Sequence, residues 1–228
     1  MTEEHQLDVI LFGDNADRHR LETRAPIIKT SLERTGSMRV DVTTDKTLFT
    51  DYVDKADKPF AELPGYDVLV LYHPSLRTLW TWNANQLSYL ESFVEAGGGL
   101  LALHSTLAML EDDPHHQRLA NLVGGTIIDH GPLVEDVSVE ITDAEHPITT
   151  DLHPFSIRDE PYNLRTNDDI RVLAEIAHDS IGCSPALWTK SVGDGRICYY
   201  SNGHAPETMA DPNFQQVLAN AIRWVGTK

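Results

Sequence analysis

The stretch EAGGGLLALHSTLAML, Glu95 to Leu110, decides how this chain is read. Its glycine triplet ends a helix, because glycine takes the left-handed backbone of a helix C-terminus at no steric cost. The apolar run Leu100 to Leu103 is too short for a helix and fits a buried strand. His104 and Ser105 then stand where the strand must turn. In α/β enzymes that turn often carries a nucleophile. A histidine there is a base, a ligand, or simply the cap of a strand.

Working outward, LDVILFG (Leu7 to Gly13) reads as a first strand, followed by the polar turn DNADRH. Leu21 to Arg34 has helical spacing, with Ile27, Ile28 and Leu32 on one side, and closes through Gly36. RVDVTT alternates as a strand, a polar connector runs from Asp45 to Gly65, and YDVLVLYH is a buried strand of the parallel kind. Asn83 to Ala96 is a helix whose inner face is Leu87, Leu90, Phe93 and Val94. This β-α-β-β-α-β order predicts a doubly wound parallel sheet. The second half is strand-rich: GTIID, EDVSVEIT, FSIRDE, IRVLAEI, PALWTKSV and RICYYSN follow at short intervals, which predicts an antiparallel extension of the same sheet. A last amphipathic helix spans Pro212 to Val225, and one domain is expected over residues 1–228.

Composition narrows the function. The chain of 228 residues has 35 acidic against 18 basic side chains, a formal charge of −17 that repels phosphate backbones, so no nucleic-acid partner is expected. Lysine is scarce beside arginine, a balance that fits either a salt-adapted protein or an ordinary acidic one. No apolar stretch approaches the roughly 18 residues of a membrane span, and the acidic start MTEEHQ lacks the features of a signal peptide, so a cytoplasmic location without membrane contact is expected. Cys183 and Cys198 have neither disulfide nor zinc-ribbon spacing, and Cys198 in RICYYS is read as a core filler.

Ligands of open α/β sheets bind beyond the carboxyl ends of the strands. The polar residues just after predicted strands are Asp14, Asn15, His73, His104, Ser105, Asp129, His130, Asp159, Glu160, Asn202 and His204. Asp159 and Glu160 are neighbours on an extended segment, so their side chains point to opposite faces and only one is expected to enter a cleft. Tyr162 shares the face of Glu160. His115 and His116 read as a polar helix start, and His146 in HPIT as structural. Gly97 to Gly99 precedes a strand instead of linking strand to helix, and nothing matches G-x-G-x-x-G, so no nucleotide cofactor is expected.

The motifs GGGLLALHS, LVGGTIIDH, HPIT, IRDEPYNL, ALWTKSVGDGRICYYSNGHAPET and NAIRWV, taken in order, resemble the ThuA-like (trehalose-utilisation) family of the class I glutamine amidotransferase-like superfamily. The resemblance covers nearly the whole chain. It implies a flavodoxin-like three-layer α/β/α sandwich with a mostly parallel central sheet and an antiparallel extension in the second half. It also implies a role in the catabolism of disaccharides and glycosides, particularly their 3-keto derivatives. Amidotransferases of this fold carry a cysteine in a G-x-C-x-G elbow and a later histidine with an acidic partner. ALHST puts His104 in the thiol's place, and GHAPE puts His204 and Glu207 in place of the later pair. Without a thiolate, glutaminase chemistry is not expected. The family's first-loop histidine corresponds to His19.

Two chemistries follow for a small-molecule sugar substrate. In the first, His104 or His204 removes the proton beside a ketone, and Glu160 or Asp159 protonates the leaving glycosidic oxygen. In the second, His104, His130 and His204 hold a divalent metal such as zinc. Asn15, His19, His73, Ser105, His130, Tyr162 and Glu207 are the expected substrate contacts. The alternative is a sugar-binding or regulatory module without catalysis, in which Trp80, Trp82 and Tyr162 supply stacking faces. The aromatic run Leu79 to Trp82 is read as a pocket wall or a contact in a homo-oligomer.

Overall fold

The computed structural model of the chain describes residues 6–15, 19–45, 65–72, 82–108 and 113–227. Its first half alternates β1 (Leu7–Gly13), α1 (Leu21–Glu33), β2 (Met38–Thr43), β3 (Val68–Tyr72), α2 (Ala84–Glu95) and β4 (Gly99–Leu103). After a single 3-10 turn at His104–Leu107 come α3 (Pro114–Val123), β5 (Gly125–His130), β6 (Val134–Ile141), β7 (Phe155–Asp159), β8 (Tyr162–Thr166), β9 (Arg171–His178), β10 (Gly182–Val192), β11 (Gly195–Tyr200), α4 (Pro206–Ala210) and α5 (Pro212–Gly226).

The main sheet has nine strands in the order β2-β1-β3-β4-β11-β10-β9-β6-β7. Its β2-β1-β3-β4-β11 half is parallel, with Leu11 opposite Val42 and Val70, and Leu101 opposite Cys198. From β11 onward the pairing is antiparallel. Alternation along the parallel strands divides the apolar residues between two cores. Val9, Leu11, Val70, Leu101 and Leu103 pack under α1 and α5, whereas Ile10, Phe12, Leu69, Leu71 and Leu100 pack under α2 and α3. The central strands β3 and β4 are buried on both faces, as a continuous apolar run such as VLVLY requires. The result is a three-layer α/β/α arrangement with an antiparallel second half.

Local signals fix the element ends. Asn83 accepts from the Gln86 backbone and Gln86 returns the bond, a capping box that starts α2. Asp211 accepts from Asn213 and Phe214, with Pro212 in the first turn of α5.

One strand expectation needs correcting. β5, the GTIID segment, does not join the main sheet; it pairs antiparallel with β8 in a separate two-stranded ribbon. β8 itself, which follows Glu160 and Pro161, is a strand that the sequence expectation does not include. The ribbon is pinned by close packing: a Cβ on Gly125 would meet the Trp188 ring at 3.0 Å, and the Leu164 N–H donates to Ser184 Oγ at 2.9 Å. It places the Glu160–Tyr162 turn beside the end of β4. The connector expected from Asp45 to Gly65 lies for the most part outside the described residues. Among the described residues no helix is long and apolar enough to cross a membrane.

Candidate functional site

β4 runs into His104, which has φ 46° and is the only non-glycine residue with positive φ among the described residues. A side chain in the left-handed region is strained, and such strain persists only where neighbours hold it. Here they do. Thr106 Oγ1 donates to the Leu71 and Leu103 carbonyls at 2.8 and 2.7 Å, and the Tyr199 hydroxyl donates to the His104 carbonyl at 2.7 Å. The backbone of a nucleophile elbow is thus kept, with an imidazole where a thiol would stand.

The imidazole's protonation follows from its partners. His104 Nδ1 lies 2.7 Å from the Ser201 carbonyl, and a carbonyl only accepts, so Nδ1 carries the proton. Nε2 therefore presents a lone pair, to which the Tyr162 hydroxyl donates at 2.7 Å. Burial, then the positive fields of His19 and His204, hold the His104 pKa well below the ordinary histidine value, so the ring is neutral. Burial likewise pushes the Tyr162 hydroxyl well above the usual tyrosine range, a shift reinforced by Glu160.

Three more side chains converge on that lone pair. His19 Nε2 is 3.2 Å from His104 Nε2 and 3.2 Å from His204 Nδ1. Glu160 Oε2 is 3.1 Å from His204 Nδ1 and 3.9 Å from His104 Nε2. One ligand atom from each of His19, His104, Glu160 and His204 falls within 4.8 Å of all the others. Burial is the largest single influence on Glu160 and raises its pKa. The hydrogen bond and charge of His204, with His130 and His19, together outweigh it and hold the carboxyl below its ordinary value.

Asp159 lies beneath this cluster, fully buried. Its Oδ2 accepts from Asn202 Nδ2 and the Gly203 N–H, both at 2.8 Å, and its Oδ1 from the N–H groups of Glu160 and His204 at 2.9 and 3.0 Å. Burial raises its pKa to about 6 against the pull of these donors. Alternation thus sends the neighbouring carboxylates apart: Glu160 enters the cluster while Asp159 ties the β7 end to the β11 loop. Arg24 donates to the His204 carbonyl through Nη2 at 2.8 Å and Nε at 3.3 Å, and the Tyr72 hydroxyl donates to the Gly203 carbonyl at 3.0 Å.

The structure brings together His104, His204, Glu160, His19 and Tyr162, with Asp159 behind them. His130 stays on the rim, its ring more than half exposed; Nδ1 is 2.9 Å from the Gly131 carbonyl and 3.3 Å from Glu160 Oε1. The set that could share an ion with His104 and His204 is completed by His19 and Glu160, not by His130, because His130 sits on the outer ribbon. Ser105 is buried behind the elbow, its hydroxyl without a hydrogen-bond partner. Asn15 is exposed and accepts from the Glu22 N–H at the start of α1. Glu207 is exposed in the first turn of α4, and the acid beside His204 is Glu160. His73 and Trp80 lie outside the described residues, and Trp82 is buried in the α2 core, where it offers no stacking face. Sequence reasoning missed Arg24, Tyr72 and Tyr199. Arg24 had a signal: it shares the apolar face of α1 with Leu21, Ala25 and Ile28, where an arginine needs a buried acceptor.

The ThuA family, described by trehalose utilisation, matches residues 8–225. No curated protein sequence matches the chain. Among solved structures, a putative ThuA-like protein from Bacteroides uniformis superposes with a TM-score of 0.75 at 23% identity, over 99% of this chain and 93% of that one. One from Parabacteroides merdae gives 0.74 at 19% identity, over 97% and 90%. A Salmonella typhimurium protein described as cytoplasmic gives 0.69 at 17% identity, over 96% and 99%. These likenesses concern the fold.

Proposed function

The chain belongs to the ThuA family, which is tied to carbohydrate use, and from that premise we propose that it is a cytoplasmic enzyme cleaving glycosides or disaccharides in their 3-keto form by acid–base chemistry. The observation that carries this reading is the Glu160 carboxylate among three imidazoles, with the Tyr162 hydroxyl 2.7 Å from His104 Nε2. A ketone at C3 acidifies the C2 proton, and the glycosidic oxygen on C1 then lies β to the carbanion. The base takes the C2 proton and the electron pair moves through the enolate. The C3 ketone re-forms, C1=C2 forms, and the C1–O bond breaks; the leaving oxygen takes a proton. No oxidant or reductant enters.

The electrostatics support a division of roles different from the sequence expectation. Glu160 is held ionised, which suits a base and not an acid. The His104 Nε2 lone pair already accepts from the Tyr162 hydroxyl, and burial disfavours its protonated form, so His104 serves as an acceptor. Both oxygens of Asp159 are engaged by four donors, so Asp159 is a positioning residue. Tyr162, kept protonated, is the donor to the enolate or the leaving oxygen.

The test is proton exchange at carbon. Incubated with a panel of 3-keto disaccharides in D2O, the wild-type protein exchanges the C2 proton and releases the aglycone, followed by NMR. Glu160→Gln lowers both rates by about 10²–10⁴-fold, and Tyr162→Phe slows release more than exchange. Binding of the panel with neither exchange nor release would mean a sugar-binding module instead.

A further inference from the structure

We infer that His19, His104, His204 and Glu160 form a divalent transition-metal site, with zinc as the ion the donor set fits. This deepens the function proposed above and rests on a separate observation, the convergence of one ligand atom from each of four side chains within 4.8 Å of one another. His104 Nε2, His19 Nε2, His204 Nδ1 and Glu160 Oε2 form a chain of contacts at 3.2, 3.2 and 3.1 Å. His104 Nε2 carries no proton of its own, because the ring's proton is committed to the Ser201 carbonyl. A cation here accepts one lone pair from each of the four ligand atoms, and takes that of His104 Nε2 in place of the Tyr162 hydroxyl, which is then left to serve the open side of the site.

The dimensions agree. Metal–nitrogen bonds of about 2.0–2.1 Å put tetrahedral ligand atoms about 3.3 Å apart, against observed separations of 3.1 and 3.2 Å along the chain. The edge between His104 and Glu160 is wider at 3.9 Å, and all four ligand atoms lie within 4.8 Å of one another. Three imidazoles and a carboxylate are the donors of zinc and its first-row neighbours; magnesium and calcium prefer oxygen throughout. His104 also shows the outer support of a metal-bound histidine: its far nitrogen donates to a backbone carbonyl, fixing the tautomer. Asp159 accepts from the backbone N–H groups of His204 and Glu160 and so holds the main chain that carries both ligands. The ligand class for the open side is a vicinal hydroxy-ketone, whose oxygens the ion can polarise.

The test uses the full chain stripped with a chelator and titrated with Zn²⁺ by calorimetry, with Co²⁺ as a spectroscopic probe. The expected result is stoichiometric uptake and cobalt d–d absorption. His19→Ala, at a half-buried position, and Glu160→Gln each weaken binding about 100-fold or more, beyond the 10–100-fold cost of losing an outer partner. His153→Ala, at an exposed histidine, binds as wild type and measures adventitious uptake. Thermal melting confirms that each variant is folded. Absence of uptake by the folded, stripped wild type overturns the site, as does unchanged affinity in both ligand variants. Uptake without action on any keto-glycoside keeps the site and overturns the proposed reaction. Full turnover by the stripped protein, with no uptake, overturns the site and keeps the reaction.

Discussion

Asp159 offers a quantitative check on how the cluster is held. Its carboxylate accepts from Asn202, Gly203, Glu160 and His204 and is wholly buried, so no water can substitute for it. In Asp159→Asn one oxygen becomes an NH2 group that faces donors. The least costly arrangement puts that group on the Oδ2 side. There Asn202 can turn its amide and accept through Oδ1, an atom otherwise without a hydrogen-bond partner. The Gly203 N–H cannot turn and loses its acceptor. One orphaned buried N–H costs about 1–3 kcal/mol, and the weaker neutral bonds elsewhere are offset by no longer burying a charge. Asp159→Ala strips all four donors of their acceptor, a loss on the scale of breaking a buried charged network, about 3–5 kcal/mol. Urea unfolding of wild type and both variants, with equal m-values as the two-state check, measures these differences. Asp159→Ala within about 1 kcal/mol of wild type, or more stable than Asp159→Asn, would refute the reasoning, since either means the four bonds do not bear on stability.

Two further outcomes follow from contacts outside the cluster. His146 Nδ1 accepts from the Ile148 N–H at 3.2 Å, and burial, then Arg171, lowers its pKa, with Asp143 opposing and Arg196 adding. The folded state therefore binds this proton less readily than the unfolded chain. Its contribution to stability is whole above the unfolded value of about 6.5 and is lost as pH falls towards the lower folded value. His146→Asn, which keeps an acceptor and does not titrate, should show a shallower loss of stability between pH 6.5 and 5 in parallel thermal melts; identical slopes count against the assignment. Arg24→Met keeps the bulk of the side chain but removes both donors to the His204 carbonyl, at a cost of about 1–3 kcal/mol. Turnover should fall with it, whereas a variant with unchanged unfolding and activity would show that Arg24 does not hold His204.

Patterns that repeat along the chain carried the fold. The apolar runs of β1, β3 and β4, the amphipathic faces of α2 and α5, and the turn at the glycine triplet all depend on neighbours in sequence, and each element lies within a few residues of its expected place. Strand ends likewise marked His104, His204, Asp159 and Glu160, because an open sheet offers its carboxyl edge to ligands. What could not be read were relations across the chain. Nothing local separates the β5–β8 ribbon from the main sheet; its place is held by contacts across the chain, Gly125 against the Trp188 ring and Leu164 on Ser184. Nothing local makes Glu160, rather than Glu207, the acid beside His204, or moves His130 to the rim in favour of His19.

The sequence by itself determined a doubly wound sheet with a histidine where the fourth strand turns, because backbone conformation and burial are written in residue type and spacing. The tertiary structure alone decided what that imidazole faces. His19, His104, Glu160 and His204 come from loops far apart in the chain, and atoms about 3 Å apart in space leave no periodic trace in sequence. Their distances, and the carbonyl that fixes the His104 proton, turn a histidine at a strand end into one lone pair of a shared site.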